Sequence, residues 1–268
     1  MNAGYVPLEL WQVGVAAALI LVNGAISVVL RLGLERQLLI ASLRTIFQLL
    51  LIGLVLRWIF MPDRWWGFVV LLMSAMTLIA GVSSVRRTPR RYAGIWLDSI
   101  VSMWISSWLV TALALLAIIR VGASSLAQYG IPLLGMILGN TLNGVSLGLD
   151  RLGEELDSKR DEVDTLLALG ATRWEAARRP IQQAVRTGMI PTINAMMVVG
   201  LVSLPGMMTG QLLGGVAPTQ AVRYQIMIMF LIAAGTALGT VGVVLLGYLR
   251  LFNHDHQFLA HRLVKQPR

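Results

Sequence analysis

Polar side chains set inside long apolar runs are the residues of this sequence best placed to do chemistry. Asn140 and Asn143 share one run, Asn194 lies in another and Gln48 in a third, each an amide among hydrocarbon neighbours. Arg44 stands one helical turn before Gln48. A guanidinium at a membrane centre costs roughly 2.5–3.5 kcal/mol, so Arg44 either snorkels to the interface or faces an aqueous cavity. Gly206, Met207, Met208, Thr209 and Gln211 belong to a stretch, 205–218, punctuated by Gly and Pro yet still apolar. That composition suits a re-entrant segment whose open backbone gates a cavity. Groups of this kind bind and pass a solute; the alternative is that the amides only tie neighbouring helices together. Catalysis is not indicated, because no run holds a His–carboxylate or nucleophile–base constellation. Cysteine is absent, which excludes disulfides and thiolate metal sites. Methionines crowd the last third, among them Met189, Met196, Met197, Met227 and Met229. Thioethers suit soft ions or flexible core filling, not hard iron. His254-Asp255-His256 has metal-ligand chemistry, with a solvated tail as the simpler reading, and no resident metal or cofactor is assigned to the chain.

These residues need elements to position them, and the composition decides which. Mean hydropathy is +0.73, with 56% hydrophobic and 13% charged residues, against roughly a quarter charged in soluble domains. Lipid is therefore the main solvent, and apolar runs there must be helices. Runs of near spanning length fall at 8–30, 38–60, 66–85, 95–119, 131–149, 189–204 and 226–249. They predict an all-α polytopic bundle of about seven transmembrane helices in a single domain, 1–268. Trp11, Trp58, Trp65, Trp66, Trp96 and Tyr248 lie near run ends, where amphipathic rings are stable at headgroup level. The first ten residues carry no Lys or Arg, so a cleaved signal peptide is not expected and the first helix should remain.

A formal charge of +9 does not mark a nucleic-acid binder, since the cations sit between apolar runs and not on an aromatic-studded surface. They divide unevenly between the two sets of connections. One set holds the arginines at 31, 36, 86, 87, 90, 91, 173, 178, 179 and 186, among others; the other holds only Arg57, Arg64, Arg120 and Arg223. The positive-inside rule makes the first set cytoplasmic and predicts N-out, C-in, an alternation that an odd number of spans satisfies. Asp98, the one carboxylate close to a helical run, is expected to pair with the neighbouring cluster of Arg86, Arg87, Arg90 and Arg91. Gly135/Gly139, Gly144/Gly148 and Gly235/Gly239 have the spacing that lets helices approach closely.

The one long hydrophilic connection, about 150–186, gathers most of the acidic residues. Leu152, Leu156, Val163, Leu166 and Leu167 recur at helical spacing, so the fifth span should continue as an amphipathic helix. Gly170 is placed to stop it in a left-handed conformation. Thr172-Arg173-Trp174-Glu175 is a capping box opening a second short helix, expected to end or kink near Pro180. The segment is either a solvated loop or a docking element for a cytoplasmic partner.

From Glu162 to Ala176, with Ala168-Leu169-Gly170-Ala171-Thr172 at its centre, the connection resembles the coupling loop of ABC-transporter permeases. Glu162 lies further from Gly170 than in the importer pattern, so the importer subclass does not follow. Leu134-Gly135-Met136-Ile137-Leu138-Gly139-Asn140, Ile190-Pro191-Thr192-Ile193-Asn194 and Leu204-Pro205-Gly206-Met207-Met208-Thr209-Gly210-Gln211 are similar to the FetB (YbbM) family, as are Leu34-Glu35-Arg36 and Arg44-Thr45-Ile46-Phe47-Gln48. The resemblance implies a permease of the bacterial cytoplasmic (inner) membrane, proposed in that family to export iron, with a separate FetA-like ATPase that holds ATP and Mg. Plant relatives are linked to aluminium tolerance and nucleotide-sugar transport. It implies coupling through Glu162, Gly170, Thr172, Arg173, Trp174 and Glu175, and two ATPases acting on a permease homodimer. The sequence agrees on one point: its two lysines, Lys159 and Lys265, follow Ser and Val, so it has no Walker A motif. An ABC permease for an organic solute and a stand-alone secondary transporter are the competing readings; the second is disfavoured by the scarcity of titratable groups in the runs.

Overall fold

The computed structural model describes residues 9–59, 66–122 and 125–265, which are helical apart from short connections and one two-residue strand pairing. Arg64, Trp65, Arg268 and the side chains of Trp58 and Trp66 lie outside the described residues, as do the ends at 8 and 60 of the first two expected runs. The described residues form two compact units, one from the first 65 residues with Leu213–Gly215, the other from Trp66 onward.

The first unit is a helical hairpin of α1 (Leu10–Val29) and α2 (Glu35–Ile59). Its turn is fixed by the buried Ser27, whose hydroxyl donates to the Glu35 carboxylate and accepts the Leu34 N–H, both at 2.9 Å. A short side chain there satisfies an orphan backbone donor next to the start of α2.

The second unit contains α3 (Trp66–Arg86), α4 (Ile95–Leu113), α5 (Leu126–Ser158), α6 (Arg160–Ala168), α7 (Arg173–Val198), all but the last residue of α8 (Gly206–Leu213), and α9 (Pro218–Leu251). Its apolar centre joins Val110 and Leu115 of the α4 region to Leu133 and Ile137 of α5 and Ile228 and Leu231 of α9. Among the described residues six helices are long and apolar enough to cross a membrane: α1 to α5 and α9. At 33 residues, α5 is about 50 Å long, well beyond a hydrocarbon core of about 30 Å, so it has turns to spare at one end. The expected span 189–204 falls on the last turns of α7 and the turn after it. α7 is too polar to qualify as a span by composition, since Arg173, Arg178, Arg179 and Arg186 lie along it.

Of the two outcomes expected at Pro180, an end or a kink, the helix does not end there: it runs on through Pro180 and Pro191 to Val198. A proline removes one N–H and displaces one carbonyl, but packing on both sides can hold the helix through that loss. Here Ala177, Pro180, Ile181, Ala184, Gly188 and Thr192 form a buried stripe of mostly small residues. The stripe permits a very close contact between helix backbones. A Cβ on Gly188 would stand 2.6 Å from the Gly144 carbonyl oxygen of α5 and 2.6 Å from Thr240 Cγ2 of α9. Gly144 and Gly235 likewise face side chains of neighbouring helices, whereas Gly139 has nothing within 4 Å. The close-approach expectation therefore holds for two of the three pairs.

The ends at which α3, α5 and α9 finish and α4 and α7 begin are tied together. The α3–α4 connection supplies β1 (Arg90–Arg91), which pairs antiparallel with β2 (Val264–Lys265) of the tail, and Arg90 Nε donates to Asp157 of α5 at 2.9 Å.

Replacing Gly188 by Val should drive a side chain into the α5 backbone and cost about 1–3 kcal/mol, as overpacked cores do. Thermal unfolding in detergent should show a clear loss for Gly188→Val and none of that size for Gly139→Ala.

Candidate functional site

At the tied end, the connection between α5 and α7 is a rigid turn. α6 closes in a Schellman arrangement, with Gly170 N–H donating to Leu167 C=O and Ala171 N–H to Leu166 C=O, each at 3.0 Å. The geometry needs a left-handed residue, and Gly170 has φ +89°. Two residues later the capping box is complete. Thr172 Oγ1 accepts the Glu175 N–H at 3.3 Å, and Glu175 Oε2 accepts the Thr172 N–H at 2.7 Å. That backbone donor, and then the Thr172 hydroxyl, hold the Glu175 carboxyl below the usual carboxylate range.

The residues singled out in this connection divide between two surroundings. Glu162 and Glu175 line a cavity of about 270 Å³ between α6 and α7, where Arg179 reaches Glu162 at 3.4 Å. Arg173 and Trp174 instead meet the tail. Arg173 donates from its guanidinium to Asn253 C=O at 3.1 Å and from its backbone to His256 Nδ1 at 2.9 Å. The Trp174 ring stands edge-on to Tyr248, with centroids 5.7 Å apart, and Arg173 lies over the same ring. His254, Asp255 and His256 are exposed, as a solvated tail would be, and His256 also accepts this hydrogen bond from the start of α7. Leu169 is left 79% exposed beside Gly170, and Trp174 is half exposed. The turn thus presents apolar side chains on a stiff backbone.

At the opposite ends of α5 and α7 lies a cavity of about 450 Å³. Asn140, Thr192 and Gln225 supply its polar lining, together with Ser203; Met136, Met207 and Met229 supply thioethers, and Gly206 lies at its edge. Asn140 donates to Met136 C=O at 2.9 Å within its own helix. Gln225 is 6% exposed and its Oε1 has no hydrogen-bond partner. A buried unpaired amide oxygen is costly and marks a place where a ligand or water can repay the loss. A second cavity, of about 310 Å³, shares Met136, Met207 and Ile228 with the first.

The other pathway candidates fall elsewhere. Asn143 is exposed and accepts from Arg87 at 2.9 Å; Asn194 is exposed and does not line either cavity. On α8, Thr209 donates to Pro205 C=O at 3.2 Å, Met208 is half-buried, and Gln211 Oε1 is buried without a partner. Arg44 and Gln48 lie one turn apart on α2 in the first unit, both exposed. Sequence reasoning passed over Gln225. Its signal is a lone amide one residue before the run 226–249, and burial by neighbouring helices is what gives it weight.

Asp98 does not pair with the arginines nearest in sequence. It is 2% exposed and accepts from Arg250 at the far end of α9, Nη2 to Oδ1 at 3.0 Å and Nε to Oδ2 at 3.2 Å. The fork geometry binds both carboxylate oxygens, and it clips α4 to α9. Tyr92, packed beside this pair, has its phenol pushed up by burial and by the Asp98 charge. Among the described residues, no group of three or more His, Cys, Asp or Glu side chains could hold a metal ion.

Residues 10–252 match the model of a family described as "Uncharacterised protein family (UPF0014)". The chain is 41% identical over 232 residues to the UPF0014 membrane protein slr1647 of Synechocystis, covering 85% of this chain and 88% of that one. It is 34% identical to the UPF0014 membrane protein YjkA of Bacillus subtilis, over 94% and 97% of the two chains. To the probable iron export permease protein FetB of Escherichia coli it is 30% identical, over 95% and 96%. No solved structure matches the chain.

The capped turn carries a pH signature. A carboxylate whose folded pKa lies below its unfolded value stabilises the fold above the unfolded pKa and loses that contribution as pH falls through the lowered one. Hydrogen exchange at residues 173–176 should therefore stay protected through the usual carboxylate range and rise only below it. In Glu175→Ala the protection should be reduced at neutral pH as well.

Proposed function

Because this chain belongs to the UPF0014 family of membrane proteins, we propose that it is the membrane-spanning permease subunit of an ABC transporter that exports iron or a related metal. ATP and Mg are bound by a separate cytoplasmic ATPase, and the permease works as a homodimer in the inner membrane of a bacterium. The chain lies N-out and C-in, which puts the turn at Gly170 in the cytoplasm. One observation carries the reading: α7 is a single helix from the capped turn at Thr172 to the cavity at Thr192. Those residues are 20 apart, about 30 Å of continuous helix. A partner that grips the turn can move the cavity wall through this one helix. Leu169 and the exposed part of Trp174 give it apolar surface to bury, while Glu162, Glu175 and Arg179 offer charge beside them. The name of the E. coli relative supports the cargo.

An organic cargo is favoured by a specific feature. The described lining of the larger cavity has amides, hydroxyls and thioethers but neither carboxylate nor imidazole, a poor match to a bare hard ion and a better one to a solute recognised by hydrogen bonds. Iron held in an organic chelate would satisfy both.

Gly170→Pro cannot adopt φ +89° and should release or uncouple the ATPase while the permease still inserts in the membrane. Trp174→Ala combined with Glu175→Ala should do the same. Normal co-purification and normal transport-stimulated hydrolysis in both variants would sink the coupling assignment. For cargo, inside-out vesicles with the ATPase and ATP should accumulate iron; accumulation of UDP-glucose instead would select the organic reading, and accumulation of neither would overturn both. Gln225→Leu should lower that accumulation and leave ATPase binding unchanged.

A further inference from the structure

Between the last turns of α5 and the first half of α7 lies a further cavity, of about 470 Å³, whose lining is mostly charged. Arg151 and Lys159 enter it from α5, Arg179 and Arg186 from α7, with Gln182 and Gln183 between them. Its one carboxylate is Glu155, 3% exposed, which Arg151 Nη2 approaches to 2.5 Å and Lys159 Nζ to 2.7 Å. Glu155 thereby fixes two cations along one face of α5 while its single charge is shared between them. Arg179 is 82% exposed and meets Glu162 only at 3.4 Å, and among the described residues Arg186 has no ion-pair partner. Arg151 also meets Glu154 at 2.8 Å, so the four cations of the lining are set against three carboxylates, Glu154, Glu155 and Glu162, and Arg186 carries the excess positive charge that an anion can join.

Depth decides which anion. The apolar run of α5 ends at Leu149, just before Asp150 and Arg151, and the apolar run of α7 begins at Met189, just after Arg186. On both walls a cation stands within a turn of the apolar run, the zone in which basic side chains meet lipid phosphates. Arginine forks bind phosphate oxygens bidentately, and glutamine amides can take the polar remainder of a headgroup. We propose that this cavity binds a phosphate group, that of an anionic lipid headgroup, seated between α5 and α7. The proposal is independent of the cargo, and it puts the ligand against the helix that joins the turn to the cavity at Thr192.

The test uses the full-length protein in nanodiscs of phosphatidylcholine with or without phosphatidylglycerol, with bound lipid read by native mass spectrometry. The wild type should retain phosphatidylglycerol over phosphatidylcholine, and Arg179→Gln with Arg186→Gln should weaken that retention by about thirtyfold, the effect of two cations near a phosphate. Both side chains are exposed, so the double variant should keep the wild-type melting temperature. Arg178→Gln, on the same helix but outside the cavity, should retain the lipid. A calorimetric arm with inorganic phosphate separates the sources: tight binding of phosphate without lipid preference would overturn the headgroup assignment in favour of a soluble phosphate. Equal retention of both lipids with no phosphate binding, or unchanged retention in the double variant, would overturn the site.

Discussion

Where α5, α7 and α9 meet, Gly188 lies so close to the Gly144 carbonyl and Thr240 that no side chain fits between them. Much of the second unit depends on that approach. α7 begins with a charged half and contains two prolines, so neither hydropathy nor backbone hydrogen bonding would keep it in place alone. Flanked by α5 and α9, its small residues let the backbones come near enough for dispersion to do the holding, as in other helix pairs that lipid surrounds. The continuity of α7 from Thr172 to Thr192 is a consequence of that packing.

The two ends of the unit are built by different physics. At the charged end, backbone groups and ionised side chains are matched with short hydrogen bonds: the Schellman turn at Gly170, the capping box at Thr172, the clip between Asp98 and Arg250, and the tail held by Arg173. Such a surface is stiff, and stiffness suits an element that transmits force. At the other end the polar groups are neutral and incompletely satisfied, with Gln225 and Gln211 each leaving a buried amide oxygen without a partner. Unsatisfied amides and adaptable methionines suit a surface that accommodates a passing solute.

Several features were legible because they rest on local chemistry. Gly170 and Thr172-Arg173-Trp174-Glu175 announce their turn and cap in four or five residues, and the structure has both. The helical continuation of the fifth run past Leu149 followed from the spacing of Leu152 and Leu156, both now buried. The end or kink expected at Pro180 was a local inference of the same kind, and its first form failed, because proline's cost was outweighed by contacts with helices remote in sequence. The pairing of Asp98 failed for the same reason. Its partner lies 152 residues away, and no spacing rule reaches that far.

By itself the sequence determined that this is a multi-pass helical membrane protein with a capped turn between two of its helices and no P-loop lysine, because hydropathy, capping and motif spacing are properties of neighbouring residues. Only the tertiary structure decided which polar residues share a space. It left Asn143 and Asn194 outside the neutral cavity, brought Asn140, Thr192 and Gln225 into it, and gathered Arg151, Lys159, Arg179 and Arg186 around a different one. Those groupings depend on how helices far apart in the chain rotate and cross, and that is set by the close packing of small residues, which periodicity in one segment does not encode.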